Sequence, residues 1–202
     1  MRRPIMVVTG GIATGKTTVA RILAGRGGGI VDCDEIGHEA LDHPEVKSAI
    51  RRLFGEEVIT PSGAVSRVRL GRKVFSDKRL LERLNDSIRP VLGRMIRDEV
   101  FTLRRRSPYI VLDAVLYFQY TFRFKVDIVI RTVASKETRV ERLVTRDHMS
   151  EREALDRIEM QKHLEEGWAR ADMSVSTDIP IGRLEERVSR IRDDFLDAHG
   201  LI

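Results

Sequence analysis

The sequence predicts an α/β fold: a central parallel β-sheet covered by helices on both faces, interrupted by a helical insertion. Short apolar runs rich in β-branched residues, at Ile5–Thr9, Ile30–Asp34, Tyr109–Asp113 and Val126–Thr132, have the continuous hydrophobicity of strands buried on both sides. Segments with helical spacing separate them. The first strand, helix and second strand fit within about 30 residues, the span of a right-handed βαβ unit.

Taken in order, Ile5-Met6-Val7-Val8-Thr9 leads through a glycine-rich turn into a helix at Lys16–Ala24, marked by Val19, Ala20, Ile22 and Leu23. Gly25 and Gly27-Gly28-Gly29 then break the chain before the second strand. Residues 36–107 change texture. Apolar residues recur at helical spacing, broken at Pro44, at Pro61-Ser62-Gly63 and at Pro90, which predicts a largely helical insertion. Val115–Arg123, between the third and fourth strands, begins a run of aromatics at 117, 118, 120, 122 and 124. Helices are predicted over Lys136–Asp147 and Ser150–Gly167, and a last, poor strand over Asp172–Ser176. A closing amphipathic helix spans Leu184–Leu196, with Leu184, Val188, Ile191 and Phe195 as its stripe. The expected organisation is one domain, 1–202, with a core of 1–35 and 108–202 around the insertion 36–107.

Composition narrows the classes. At 202 residues and 42% hydrophobic content the chain can bury one α/β core with an insertion, and wholesale disorder is excluded. Runs such as Ile5–Val8 and Ile110–Leu112 are too short to span a bilayer, so no membrane partner is expected. Arg2 and Arg3 before Ile5–Val8 do not make a signal peptide, because the apolar stretch ends at Thr9-Gly10-Gly11. The single Cys33 rules out an intramolecular disulfide framework or a cysteine-rich zinc site, and a reducing, cytoplasmic setting is expected. Net charge is +5, and the cations are 29 Arg against 7 Lys. Aromatics make up only 5% and no nucleic-acid motif occurs, so nucleic acid is not an expected partner. His38, His43, His148, His163 and His199 show no metal-ligand spacing.

Gly10-Gly11-Ile12-Ala13-Thr14-Gly15-Lys16-Thr17 fits G-x-x-x-x-G-K-[ST] without departure, after a strand and before a helix. Glycines let the backbone wrap an anion and turn amides inward, and the emerging helix adds the positive end of its dipole. Gly11 to Thr18, including Ile12, Ala13, Thr14 and Gly15, are therefore the expected nucleotide-binding residues. Lys16 is placed to reach the β- and γ-phosphates, and the Thr17 hydroxyl to ligate Mg²⁺. With this loop the fold class becomes a three-layer P-loop NTPase. N-K-x-D is absent, which disfavours a GTPase and leaves a kinase as the expectation.

A kinase needs a carboxylate beside the acceptor hydroxyl and cations near the moving phosphoryl group. Asp32 and Asp34, two apart at the end of the second strand, are expected on one face at the carboxyl edge of the sheet, where open parallel sheets bind ligands. Alternatively one or both cap a helix starting near Glu35. Asp113 ends the third strand and is either a metal-organising carboxylate or a solvated strand end. Arg139, Arg142 and Arg146 share one helix stripe, suited to a triphosphate or to a solvated face paired with Glu137 and Glu141. Tyr117, Phe118, Tyr120 and Phe122 are either core or one wall of an acceptor pocket.

Val8-Thr9-Gly10-Gly11-Ile12-Ala13-Thr14-Gly15-Lys16-Thr17-Thr18-Val19-Ala20, followed by Val31-Asp32-Cys33-Asp34-Glu35-Ile36, resembles the dephospho-CoA kinase family. The similarity continues through Val65-Ser66-Arg67, Lys73-Val74-Phe75-Ser76, Leu84-Asn85 with Arg89-Pro90, Arg142-Leu143 with Arg146-Asp147, Gln161 and Ala171-Asp172. The resemblance implies a nucleotide core, a helical substrate-binding insertion and a helical lid at 136–170. It implies phosphoryl transfer from ATP, with Mg²⁺, to the ribose 3′-hydroxyl of dephospho-CoA. It makes Asp34 the general base, Lys16 and the loop amides the phosphate holders, and Arg142 and Arg146 the lid cations, with Asp32, Arg67 and Arg89 toward the acceptor and Thr17 and Asp113 toward the metal. The chain departs from the family where a His-Pro pair is usual and Arg89-Pro90 stands, where D-I-P-L-L-F-E is replaced by Asp113-Ala114-Val115-Leu116-Tyr117-Phe118-Gln119, and where a late asparagine is replaced by Thr177 or Asp178. Other small-molecule kinases, or a nucleotide-binding protein without transfer activity, are the alternatives. The expected state is a monomer or small homo-oligomer.

Overall fold

Five parallel strands make one sheet in the order β2-β3-β1-β4-β5: β1 (Ile5–Thr9), β2 (Gly29–Asp32), β3 (Ile110–Asp113), β4 (Ile128–Val133) and β5 (Met173–Ser176). The computed structural model describes residues 3–74, 77–120, 122 and 124–202; Arg2, Phe75, Ser76 and Arg123, named above, lie outside the described residues. β1 is central and buried at every position, as its unbroken apolar run requires. Val8 pairs with Asp113 on one side and Ile130 on the other, and Asp32 pairs with Asp113. The register thus brings two carboxylates and the start of the glycine-rich loop to the carboxyl edge of the sheet.

The chain divides into two compact units, residues 1–33 with 99–202, and residues 34–98. In the first, α1 (Lys16–Ala24) and α9 (Ile181–Ala198) pack Val19, Ala20, Leu23, Leu184, Val188 and Leu196 against Met6, Val8, Val111, Ile130 and Val175. The same unit contains α6 (Lys136–Asp147), capped by Ser135, and α7 (Glu151–Met160), whose capping box joins Ser150 and Glu153. Helix was expected to run on to Gly167. It stops instead at Met160, and a 3₁₀ turn at Lys162–Leu164 leads into the short α8 (Glu165–Trp168). Leu143 and Ala154, both fully buried, join α6 to α7 and gather Ala13 and Ile12 of the loop. Replacing Leu143 with Ala is expected to cost about 3 kcal/mol by leaving a cavity, measured as a shift in the urea midpoint at unchanged m-value.

The second unit is helical: α2 (Cys33–Ala40, from its second residue), α3 (Pro44–Phe54), α4 (Arg67–Val74) and α5 (Lys78–Leu103) up to Asp98. Its core contains Val46, Ile50, Phe54, Val58, Leu70, Leu84 and Val91. Pro44 starts α3 rather than breaking a helix, because a first-turn proline forfeits no helical hydrogen bond. Pro90 also fails to break the chain. It lies inside α5, where one lost backbone bond is offset by the packing of Leu84, Ile88, Val91 and Met95 on either side of it.

One strand end differs from expectation in a way that matters for the site. β2 stops at Asp32 and helix α2 begins at Cys33, so Asp34 sits with Glu35 in the first helical turn and does not share a strand face with Asp32. Acidic residues favour a helix N-terminus through its dipole, and this decides between the two conformations open to Asp-x-Asp. Among the described residues no helix is long and apolar enough to cross a membrane.

Candidate active site

The loop between β1 and α1 is shaped by residues that must be small. Gly10 has φ +136°, and a Cβ there would lie 2.5 Å from the Thr132 carbonyl oxygen. Gly15 has φ +82° and faces the Thr177 side chain. Ala13 takes φ +60° without being glycine, a conformation that costs about 1 kcal/mol. Side chains hold this shape from below. Buried Thr14 donates from Oγ1 to the Gly11 carbonyl at 2.7 Å and lies 2.7 Å from Thr132 Oγ1, while Thr177 Oγ1 donates to the Thr14 carbonyl at 3.0 Å.

At the start of α1, exposed Thr17 donates from Oγ1 to Asp113 Oδ2 at 2.7 Å. The other oxygen, Asp113 Oδ1, is buried and has no hydrogen-bond partner among the described residues. Burial holds the Asp113 carboxyl above its ordinary range, and nearby Asp32 adds to this, while the Thr17 bond and the charges of Lys16 and Arg21 act the other way. Asp113 is thus a buried carboxylate rather than a solvated strand end, joined to Thr17 and within the field of Lys16.

The α6 stripe lies against the loop. Arg139 donates from Nε to the Ile12 carbonyl at 2.9 Å. Arg142 donates from Nη1 to the Ala13 carbonyl (3.0 Å) and Thr177 Oγ1 (2.9 Å), and from Nη2 to the Thr177 carbonyl (2.8 Å). Arg146 is exposed and pairs with Asp147 through two bonds of 2.7 and 2.8 Å. Arg142 and Arg146 form one side of a cleft of about 390 Å³, completed by Ala13, Gly15, Thr18, Thr145, Thr177, Ile179, Ile181 and Leu184. Of these, Leu184 belongs to the stripe of the closing helix, whereas Thr177 and Ile179 come from the turn between β5 and α9 and Ile181 from the first position of α9, before the predicted helix start, so no period announced them. The Ile12 amide donates to Gln161 Oε1 at 2.6 Å, a contact across 149 positions that no periodicity could signal.

The remaining expected residues belong to the second unit. Asp34 is exposed in the first turn of α2, Arg67 is exposed at the first position of α4, and half-buried Arg89 pairs with Asp86 within α5 at 2.9 Å. The aromatics after β3 are neither core nor solvent: Tyr117 stacks on Phe122 at 5.6 Å and meets Phe118 edge-on at 4.9 Å, all half-buried.

A phosphate loop, a hydroxyl–carboxylate pair beside it and an arginine-bearing helix over it are common to many P-loop proteins. The sequence relationships are more specific. The family model described as dephospho-CoA kinase matches residues 4–181. The chain belongs to the dephospho-CoA kinase family. It is 35% identical over 191 residues to a dephospho-CoA kinase of Carboxydothermus hydrogenoformans, covering 93% of this chain and 92% of that one. With the Geobacter sulfurreducens enzyme of the same name the identity is 33% over 189 residues, covering 93% and 96%. The crystal structure of TT1252 from Thermus thermophilus superposes with a TM-score of 0.79 at 28% identity, covering 96% of this chain and 98% of that one. A shikimate kinase from Acinetobacter baumannii, at 17% identity and TM-score 0.53, shares the fold.

The positions expected to depart from the family pattern have these places in the structure. Thr177 is buried, lines the cleft and is bonded to Arg142, while Asp178 accepts from the Ser135 amide at 2.6 Å. Gln119 is exposed at the end of the turn that carries Tyr117 and Phe118.

Proposed function

We propose that this chain transfers the γ-phosphoryl group of ATP to the ribose 3′-hydroxyl of dephospho-CoA, giving CoA and ADP in the cytoplasm. The observation that carries this is the intact phosphate loop, with Lys16 and the Thr17–Asp113 pair, in a chain matching the family model almost from end to end. In the step itself the acceptor oxygen bonds to the γ-phosphorus, and the bond to the β–γ bridging oxygen breaks and leaves its electron pair on ADP. The hydroxyl proton passes to Asp34. Lys16 and the loop amides hold the phosphates and neutralise charge gathering on the transferred group. Arg142 keeps the loop closed and adds positive field, and Arg146 contributes from the cleft wall. Asp32, Arg67 and Arg89 are assigned to the acceptor, the arginines to its phosphates.

The residues fit Mg²⁺. Asp113 Oδ1 is a buried oxygen without a partner among the described residues, Oδ2 is bonded to the Thr17 hydroxyl, and both side chains are hard oxygen donors. Among the described residues no group of three or more His, Cys, Asp or Glu is placed to hold a metal, in keeping with an ion that takes its remaining ligands from phosphates and water. When bound, the ion would neutralise charge on the β- and γ-phosphates.

The fold favours the protonated Asp113 carboxyl, so this group's contribution to stability is present at low pH and lost as pH rises through its raised folded value. Metal binding needs the ionised form. The acidic limb of kcat/KM is therefore expected above the ordinary carboxylate range, and added MgCl₂ should move it downward. A limb indifferent to magnesium would assign it to another group.

Purified protein with ATP, MgCl₂ and dephospho-CoA should release ADP in a coupled assay. Turnover no greater than the ATPase background would overturn the proposal, and a screen of nucleosides and small hydroxy acids would then find the acceptor.

A further inference from the structure

Three side chains from the helices beyond β4 set the orientation of three successive peptide groups in the phosphate loop. Gln161 Oε1 accepts from the Ile12 amide at 2.6 Å, Arg139 Nε donates to the Ile12 carbonyl at 2.9 Å, and Arg142 Nη1 donates to the Ala13 carbonyl at 3.0 Å. A trans peptide is planar, with its N–H and C=O on opposite sides. Drawing the Ile12 N–H toward Gln161 therefore sends the Gly11 carbonyl the other way. There it accepts from Thr14 Oγ1 at 2.7 Å and the Thr14 amide at 3.3 Å. Drawing the Ala13 carbonyl toward Arg142 aims the Thr14 amide at that same Gly11 oxygen. Between these two, Arg139 pulls the Ile12 carbonyl outward and so turns the Ala13 N–H inward, away from the arginine.

The backbone pays for this arrangement at Ala13, whose φ of +60° is unfavourable for a residue with a Cβ and persists only where the surroundings over-determine it. Ile12 and Ala13 pack against Val140, Leu143, Ala154 and Ile158 of α6 and α7. Gln161 stands at the C-cap of α7, where the helix gives way to the 3₁₀ turn, and this break is where its side chain meets the loop.

We propose, building on the nucleotide half of the function above, that Gln161 is a positioning residue for phosphoryl transfer. Its carboxamide, acting with Arg139 on the two ends of Ile12, locks the peptide planes that present the loop amides to the phosphates of ATP. Gln161 touches no reacting atom in this role; it acts through the backbone of Ile12.

The test is Gln161→Met, which keeps the chain length and removes the acceptor, alone and combined with Arg139→Met in the full-length protein. Calorimetric titration with Mg·ATP should show the dissociation constant raised about five- to tenfold, the effect of one lost hydrogen bond that orders a binding loop. In steady state, KM for ATP should rise while KM for dephospho-CoA stays within twofold, a split that general loosening of the protein would not give. Because both side chains fix one residue, Gln161→Met should add little once Arg139 is already replaced. ATP affinity unchanged in Gln161→Met overturns the proposal. Tighter ATP binding also overturns it, since it would make the carboxamide a competitor for the amide, and so would losses that multiply in the double variant. The titration needs no acceptor. A wild-type chain that binds ATP but leaves dephospho-CoA untouched refutes the assigned acceptor and leaves this test intact, whereas one that binds no ATP refutes both.

Discussion

Lys16→Met is expected to lower kcat/KM for ATP about a thousandfold, equivalent to ~4 kcal/mol of transition-state stabilisation. The size follows from what the side chain does. An ammonium group beside the phosphates is worth most when negative charge moves toward the β–γ bridging oxygen, and methionine keeps the length while removing all of that charge. Part of the loss is indirect, because Lys16 helps to keep the buried Asp113 ionised. Without it Asp113 rises further, and more magnesium is needed to reach a given rate. Lys16 is half-exposed at the first position of α1 and lies outside the packed core, so the unfolding midpoint should move little. Steady-state kinetics at saturating dephospho-CoA, together with a denaturation curve, checks both halves. Activity within tenfold of the parent would mean that the loop grips something other than the transferred phosphoryl group.

Much of what is proposed for the nucleotide half of the site could be named from the sequence because its pattern is local. A buried β-branched strand, glycines at fixed intervals and a helix start lie within a dozen residues, and Gly10 and Gly15 take positive φ there. The α6 stripe was legible too, since a spacing of three and seven places Arg139, Arg142 and Arg146 on one side of a helix, although not what they would touch. Other features had no local signature. Asp32 and Asp34 suit a strand end and a helix N-terminus equally well, and only the fold decides between them. Apolar spacing continues past Met160 through Leu164 to Trp168, so nothing in the pattern announced the break that puts Gln161 against the loop. Pro90 read as a helix terminator because propensity is a local quantity, whereas the packing that carries α5 through it is tertiary. The cleft draws residues from the loop and start of α1, from α6 more than 100 positions later, and from the turn before α9 and its first residues, and its apolar members Ile179 and Ile181 look like any other partly exposed isoleucines.

Asp34→Asn separates the two carboxylates that the sequence presents as a pair. It should lower kcat by a factor of about 10³, within the range of general-base catalysis, while leaving the dissociation constant for Mg·ATP unchanged. The amide keeps the shape of the side chain and its place in the first turn of α2, but it cannot take the acceptor's proton. Asp32→Asn should behave differently. Asp32 ends β2 in register with Asp113 and raises that carboxyl by charge repulsion, so neutralising it relieves part of the upward shift. The acidic limb of kcat/KM should then move to lower pH; as Asp32 is assigned to the acceptor, KM for dephospho-CoA should rise as well, while most of kcat is retained at neutral pH. Measured side by side, the two variants assign the roles: a loss of kcat confined to position 34, and a displaced pH profile confined to position 32. If instead Asp32→Asn abolishes transfer and Asp34→Asn merely shifts the limb, the proton is taken at the end of β2. If Asp34→Asn leaves kcat within tenfold, the carboxylate at the start of α2 takes no proton, and its acidity serves the helix dipole alone.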